Sequence, residues 1–118
     1  MAEIQAVRWD EEALVLLDQT KLPSQEIDFV AHTVDEVVDA VDRLVVRGAP
    51  ALGAVGAFGV VVAMDQGARE SWTAERLSQQ ILRIRNARPT AVNLAWGVDR
   101  VQPFAEQGRD EVLTQAHQ

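Results

Sequence analysis

The chain has 118 residues, of which 47% are hydrophobic, and it contains no cysteine. This length suits one domain with a real core and is too short for two ordinary ones, and the hydrophobic content excludes a largely disordered chain. Without cysteine, neither a disulfide nor a thiolate metal site can form among these residues.

The net charge of −7 is unevenly distributed. Residues 1–42 hold eleven acidic side chains against two basic ones, whereas the remainder holds nine arginines against seven acids. Nucleic-acid binders normally carry a basic stripe, so we expect no nucleic-acid partner, although local arginines can hold a small phosphate ester. The start of the chain lacks the basic and apolar segments of a signal peptide, so we expect a cytoplasmic protein with no membrane partner.

The first part of the chain is predicted to form a small antiparallel sheet. Ile27, Phe29 and Ala31 recur at every second position, which is the period of a strand with one buried face. The predicted strands are Val7–Trp9, Leu14–Asp18 and Glu26–Ala31. Three strands cannot stand alone, so this meander must pack on the helices that follow.

Helical periodicity begins at Thr33. Thr33 and Glu36 are predicted to form a capping box, with the Thr33 hydroxyl accepting a hydrogen bond from the Glu36 N–H. The inner face of this helix carries aliphatic residues at helical spacing. They are Val34, Val37, Val38, Val41, Leu44 and Val45.

The junction between this helix and the next is the most informative part of the chain. Arg47 and Gly48 end the first helix, and Pro50 lies just inside the start of the second. The N–H groups opening the second helix have no intrahelical acceptor, and those of Ala51, Leu52 and Gly53 are expected to point outward. A guanidinium beside a helix start suits a phosphate. Arg47 alone equally fits a cation that complements the dipole of the preceding helix.

The second helix is predicted to lie in the core. Residues 49–64 carry no charge, and this run is shorter than the roughly 20 residues that span a bilayer. Gly53, Gly56 and Gly59 leave one side without bulk, which indicates close approach of another backbone. A dinucleotide fingerprint is rejected because no strand immediately precedes these glycines and no full βαβ unit surrounds them.

Two or three further helices complete the chain. One starts at Ser71 or Thr73, and Arg88-Pro89 interrupts it. Thr90 is a predicted cap for the next, and Gly108 precedes a short final helix. The predicted inward residues of these helices are Leu77, Ile81, Ile84, Leu94, Val98 and Val101.

Three motifs resemble one family in the right order. They are Leu-Leu-Asp-Gln-Thr-Lys-Leu-Pro at residues 16–23, Arg-Gly-Ala-Pro-Ala at 47–51 and Arg-Pro-Thr-Ala-Val-Asn-Leu at 88–94. They resemble the N-terminal domain of methylthioribose-1-phosphate isomerases, which share a superfamily with initiation factor 2B regulatory subunits and ribose-1,5-bisphosphate isomerase. The resemblance implies an α+β fold, in which a β-meander over residues 1–32 packs on a mainly helical part over residues 33–118. Residues 1–118 would then be a single N-terminal domain, and the family's Rossmann-like C-terminal domain would be absent.

The same resemblance implies a reaction and a set of contacts. The family converts 5-methylthioribose 1-phosphate to 5-methylthioribulose 1-phosphate in methionine salvage, without a cofactor. Carried over by motif, the substrate-binding residues are Arg47, Gly48, Ala49 and Arg88. The family's catalytic cysteine and aspartate belong to the C-terminal domain, so we expect no catalytic residue in this chain. The alternatives are a non-catalytic regulatory domain like the initiation-factor relatives, and an isomerase acting on ribose 1,5-bisphosphate.

The remaining candidates carry weaker signals. Asn93 could orient a substrate hydroxyl or satisfy backbone near a helix start, and the two histidines lack a second ligand at a useful spacing, so no metal is expected. Trp9, Trp72 and Trp96 are expected to fill the core or cover its edge, and Arg83 and Arg85 are expected to be solvated. The expected partners are a sugar phosphate, the missing C-terminal domain and further copies of the chain, as a homo-oligomer.

Overall fold

The structure is a computed structural model that describes residues 7–10, 13–17, 28–42, 49–87 and 92–117. Three strands form an antiparallel sheet in the order β1-β2-β3: β1 is Val7–Asp10, β2 is Ala13–Leu17 and β3 is Asp28–Ala31. The predicted meander and the α+β fold class are confirmed. Strand ends differ by a residue or two from the predicted ones, and Asp18, Glu26 and Ile27 lie outside the described residues.

The middle strand, β2, is buried on both faces. Leu14 and Leu16 are fully buried in the main hydrophobic core, and Ala13 and Val15 on the opposite face are almost as inaccessible. Val15 stands between Arg8 of β1 and Val30 of β3 in the register. A strand buried on both faces is uniformly apolar, which is why Ala13–Leu17 shows no polar alternation.

Helix α1, Val34–Asp42, begins with the predicted cap. The Thr33 hydroxyl accepts from the Glu36 N–H at 3.2 Å, and Glu36 Oε1 reaches back to the N–H of His32 at 3.0 Å. Val34, Val37 and Val41 are buried and Val38 is partly buried. The predicted continuation through Leu44 and Val45 lies outside the described residues.

Helix α2, Ala49–Glu70, is the centre of the molecule and contacts every other described α-helix as well as the sheet. Its middle, residues 55–63, is buried throughout, as the uncharged run predicts. Among the described residues it is the one helix long and apolar enough to cross a membrane, over Ala51–Glu70, and 61% of its apolar window is buried in the protein. Helices buried in the core of a protein can be equally long and apolar.

The remaining helices pack around α2. They are α3 (Ala74–Arg85), α4 (Val92–Val101) and α5 (Arg109–His117), and a 3-10 helix over Gln102–Gln107 was not predicted. Thr73 caps α3 by accepting from the Arg76 N–H at 3.1 Å. Gly108 precedes α5 at a φ of 105°, a conformation that favours glycine. The predicted inward residues of α3 and α4 are buried, except that Leu77 is only partly so.

The side chains of Arg83 and Arg85 are exposed, as expected, but each also forms an ion pair that was not predicted. Arg85 forms a bidentate ion pair with Asp99, at 2.8 and 2.9 Å, and Arg83 contacts Asp35 at 2.8 Å. These pairs connect α3 to α4 and to α1. Trp96 is 58% exposed, and its ring packs over the buried Gly53, so it covers the edge of the core, which is one of the two expected positions.

Candidate functional site

The start of α2 lies against α4 at a crossing made of glycines. A Cβ added at Gly97 would overlap the Gly53 carbonyl oxygen and lie 3.1 Å from the Gly53 Cα. A Cβ at Gly56 would overlap the Leu94 carbonyl oxygen. The predicted close backbone approach is therefore confirmed for Gly56. At Gly59 the space is filled instead by the side chain of Ile84.

This crossing lies near the first described residue of each helix. Gly53 lies four residues after Ala49 in α2, and Gly97 lies five residues after Val92 in α4. At 1.5 Å per residue and ordinary helix separation, Ala49 and Val92 lie within about 16 Å of each other at any crossing angle. A helix N-terminus carries partial positive charge.

Helix α2 is described from Ala49 onward, so Pro50 lies in its first described turn, as predicted. Helix α4 is described from Val92 onward. The intrahelical acceptors of the first amides in each helix belong to residues outside the described ranges, so the free N–H groups of Ala51, Leu52 and Gly53 stay a prediction.

Of the four predicted substrate-binding residues, the structure describes Ala49. Ala49 is the first residue of α2, at the candidate site. Arg47, Gly48 and Arg88 lie outside the described residues, as does Thr90, the predicted cap of α4. The convergence of Arg47 and Arg88 on one anion thus stays a prediction.

The sequence analysis missed a second feature of this region, an exposed aromatic side chain. Trp96 lies one turn after Val92 on α4, and both are exposed. The guanidinium of Arg100, a further turn along, lies 5.6 Å from the centroid of the indole ring. The spacing Val92, Trp96, Arg100 is a helical i, i+4, i+8 series that could have been recognised as one face.

On α4, the carboxylate of Asp99 forms an ion pair with Arg85 of α3. The Arg85 guanidinium, hydrogen-bonded to Asp99, lowers the pKa of that carboxyl below its usual range, and the same contact raises the pKa of Arg85. Within the part of the chain that the structure describes, no group of three or more histidine or acidic side chains could hold a metal ion.

Comparison with known proteins assigns the family. The model of the initiation factor 2 subunit family matches residues 45–118, which include both helix starts and the glycine crossing. The chain belongs to the initiation factor 2 subunit family. The match to the family model begins close to Arg47 and leaves out the β-meander, so the similarity to the family lies in the helical part of the chain.

Two solved structures share the fold. The delta subunit of translation initiation factor eIF-2B from A. fulgidus superimposes with a TM-score of 0.78 at 37% identity, over 98% of this chain and 35% of that one. The 5-methylthioribose 1-phosphate isomerase of Pyrococcus horikoshii superimposes with a TM-score of 0.77 at 27% identity, over 95% of this chain and 34% of that one.

Curated relatives of the chain are named as isomerases. A probable bifunctional methylthioribose-1-phosphate isomerase/methylthioribulose-1-phosphate dehydratase of Nocardia farcinica is 43% identical over 111 residues, which is 93% of this chain and 20% of that protein. Across the curated relatives the chain spans between 20% and 35% of their length. The resemblance noted in the motifs is confirmed at the level of the family.

Proposed function

We propose that this chain is the phosphate-binding part of a methylthioribose-1-phosphate isomerase. The observation that supports it best is the glycine crossing, at which Gly53 of α2 meets Gly97 of α4 a few residues after the first described residue of each helix. Arg47 precedes one of these helices and Arg88 precedes the other in the sequence. The free amides and both guanidiniums then hold the phosphate of the sugar through charge-assisted hydrogen bonds.

The reaction needs both phosphate binding and proton transfer, and we assign the two to different parts of the protein. Converting the aldose phosphate to a ketose phosphate needs ring opening and transfer of hydrogen between C1 and C2, with groups that donate and remove protons. The family's catalytic cysteine and aspartate, by resemblance, lie outside the segment matched here. We therefore assign binding of the phosphate to these residues, through Arg47, Gly48, Ala49 and Arg88, and no step of proton transfer.

Calorimetric titration with methylthioribose 1-phosphate tests this proposal. Wild type should release heat of binding, and Arg47→Ala and Arg88→Ala should each weaken binding at least tenfold, since a charge-assisted hydrogen bond contributes roughly 1.5–3 kcal/mol. Arg76→Ala is the matched control. Arg76 lies 5.3 Å from the ring of Trp72, which packs on Gly67, and so is at the far end of α2. Equal binding by all four proteins would contradict the proposed site.

Turnover is a separate readout of the same proposal. The purified 118-residue chain should form no 5-methylthioribulose 1-phosphate when the mixture is followed by proton NMR. Ketose production by the chain alone would show that the catalytic groups are among these residues. It would overturn the assigned division of labour.

A regulatory role is the second candidate, and one observation favours it. The superposition on the A. fulgidus eIF-2B subunit is as good as that on the isomerase and has the higher sequence identity. A non-catalytic interaction domain would give no heat of binding with methylthioribose 1-phosphate in wild type or in either arginine variant. A ribose-1,5-bisphosphate isomerase, the third candidate, would bind the bisphosphate in preference to the methylthio compound.

A further inference from the structure

A cluster of aromatic and charged side chains joins the sheet to the last described helix. The indole of Trp9 in β1 stacks on the ring of Phe58 in α2, with 5.8 Å between the ring centroids and 15° between the planes. The Arg109 guanidinium, at the start of α5, lies 5.7 Å from the centroid of the Trp9 ring. The His117 ring, at the end of α5, meets Phe58 edge to face, with 5.1 Å between centroids. We call these four residues and Asp65 the Trp9 cluster.

The guanidinium of Arg109 is held in place by two carboxylates. Its Nε and Nη2 donate to the two carboxylate oxygens of Asp65 at 2.9 and 3.2 Å, and its Nη1 donates to Asp110 at 3.0 Å. The side chains of Arg109 and Asp65 are only 30% and 22% exposed. A bidentate pair of this kind fixes the orientation of the planar cation. Trp9 therefore packs against a group whose position is set by α2 and α5 together.

The sheet and α5 depend on the same two side chains. Trp9 contacts Phe58 and Arg109, whereas α5 contacts Phe58 through His117 and supplies Arg109 itself. Phe58 is 6% exposed, so undocking of β1 uncovers an apolar ring on which α5 also packs. Undocking of α5 in turn removes the cation that lies against the Trp9 ring. Loss of either element thus makes the docking of the other less favourable.

We propose that the sheet and α5 form one conformational unit, which opens and closes together on α2 while α3 and α4 stay folded. Proteins open locally in contiguous cooperative units whose free energy of opening lies below that of global unfolding. The match to the family model includes α5 and leaves out the sheet. The Trp9 cluster is then the place where a segment outside that match is held by a helix within it.

Three matched arginine variants test this coupling. Arg109, Arg100 and Arg76 each lie over a tryptophan ring, at 5.7, 5.6 and 5.3 Å from its centroid, and methionine replaces each with an unbranched uncharged side chain. Arg100 belongs to α4 and donates to the Gln115 carbonyl oxygen, in the last turn of α5, at 2.7 Å. Arg100→Met therefore loosens α5 without changing any residue of the Trp9 cluster. Arg76→Met is the control, because Arg76 belongs to α3.

Backbone hydrogen exchange, resolved by NMR, is the measurement. In Arg109→Met the amides of the sheet and of α5 should both exchange about tenfold faster than in wild type, since a cation–π contact and charge-assisted hydrogen bonds are lost. In Arg100→Met the amides of α5 should exchange faster, and those of the sheet should follow by a similar factor. Arg76→Met should leave both unchanged. Faster exchange in α5 with no change in the sheet would overturn the proposal.

Exchange of the wild-type chain in increasing urea provides a test that needs no variant. The amides of the sheet and α5 should converge on one free energy of opening, which lies below that of α3 and α4. This opening should depend less on urea than global unfolding does, because it exposes less surface. Convergence of α5 with α3 and α4, while the sheet opens alone, would contradict the proposed unit. Neither measurement uses a ligand, so the outcome is separate from that of the proposed phosphate site.

Discussion

At the scale of single residues, Gly97 decides how closely α4 approaches α2. A Cβ at this position would collide with backbone atoms of Gly53, which cannot move aside as a flexible side chain can. The two helices would have to separate, and the Leu94 and Val98 side chains, now fully buried, would lose contacts.

We therefore predict that Gly97→Ala lowers the free energy of unfolding by about 2 kcal/mol, as overpacking of a core contact does. Gly53→Ala is the matched control from the same crossing. Its Cβ would meet the Asn93 carbonyl oxygen at 3.6 Å and Trp96 at 3.7 Å, which are ordinary contacts. This variant should be neutral or gain up to about 1 kcal/mol from helix propensity. Urea denaturation of both variants checks the pair, and equal stability of Gly97→Ala and wild type would contradict the crossing.

Asp99 gives a prediction about pH. Its pKa is lowered in the folded chain by the hydrogen bonds from Arg85, and it returns to its ordinary value on unfolding. The stabilisation is thus fully present above the ordinary carboxyl pKa, about 4, and is lost as the pH falls through the lower folded value. The pair is exposed, so the effect should be small and should shrink in high salt.

The measurement compares wild type with Asp99→Asn from pH 7 downward. The variant should be less stable at neutral pH, and the two stability curves should converge in acid. A difference between the two proteins that stays constant down to pH 2 would show that the ion pair contributes nothing to it. Asp35→Asn, which breaks the neighbouring contact of an exposed acid with Arg83, serves as the comparison.

At the scale of elements, α2 organises the molecule by using its two halves differently. The first half meets α4 through glycines, whereas the second half reaches across to the start of α1. There, Gln66 Oε1 accepts from the Val34 N–H at 2.8 Å, and Arg69 donates to the His32 carbonyl oxygen at 2.8 Å. Asp65 binds the Arg109 guanidinium of α5 at 2.9 Å. Polar side chains at the end of α2 thus satisfy backbone groups that would otherwise be unpaired.

Gln66→Ala tests this arrangement. It removes the acceptor of the Val34 N–H, and Val34 is 1% exposed, so the free energy of unfolding should fall by about 1–2 kcal/mol. Glu70→Ala is the control, because it removes only the exposed partner of the Gln66 amide nitrogen, at 2.7 Å. Thermal unfolding followed by circular dichroism should separate the two variants. A Gln66→Ala protein as stable as Glu70→Ala would contradict the bridging role.

At the scale of the whole molecule, the sequence predicts periodic elements well. The capping residues Thr33 and Thr73, and the buried faces they introduce, follow from local chemistry that a few neighbouring residues decide. The glycines of α2 correctly predict close packing, but the partner glycine, Gly97, belongs to a different helix and has no local signal. The ion pair of Arg85 with Asp99 was missed for the same reason, since long-range pairing depends on how the helices cross.

The candidate site was predicted by motif rather than by local physics. Pro50 lies in the first described turn of α2, as the sequence predicts. Trp96 was expected in the core or at its edge because tryptophan is usually well buried. Its ring lies over Gly53 at the crossing of α2 and α4 and stays 58% exposed.

Self-association is a further property of the whole chain that we propose. Large apolar side chains are exposed at Val30, Leu82, Val92 and Trp96. Such side chains, on three different elements, favour contact with a second copy. The apparent mass from light scattering should rise with concentration and should rise less for Trp96→Ala. A constant monomer mass at the highest soluble concentration would contradict the proposed homo-oligomer.

The central claim is that the starts of α2 and α4 bind one phosphate together, and amide chemical shifts test it most directly. The isotope-labelled chain would be titrated with methylthioribose 1-phosphate. The account predicts that the largest shifts fall together, with one affinity, on the amides of Ala49, Ala51, Val92 and Asn93. Shifts confined to one helix start, or centred elsewhere on the protein, would contradict it.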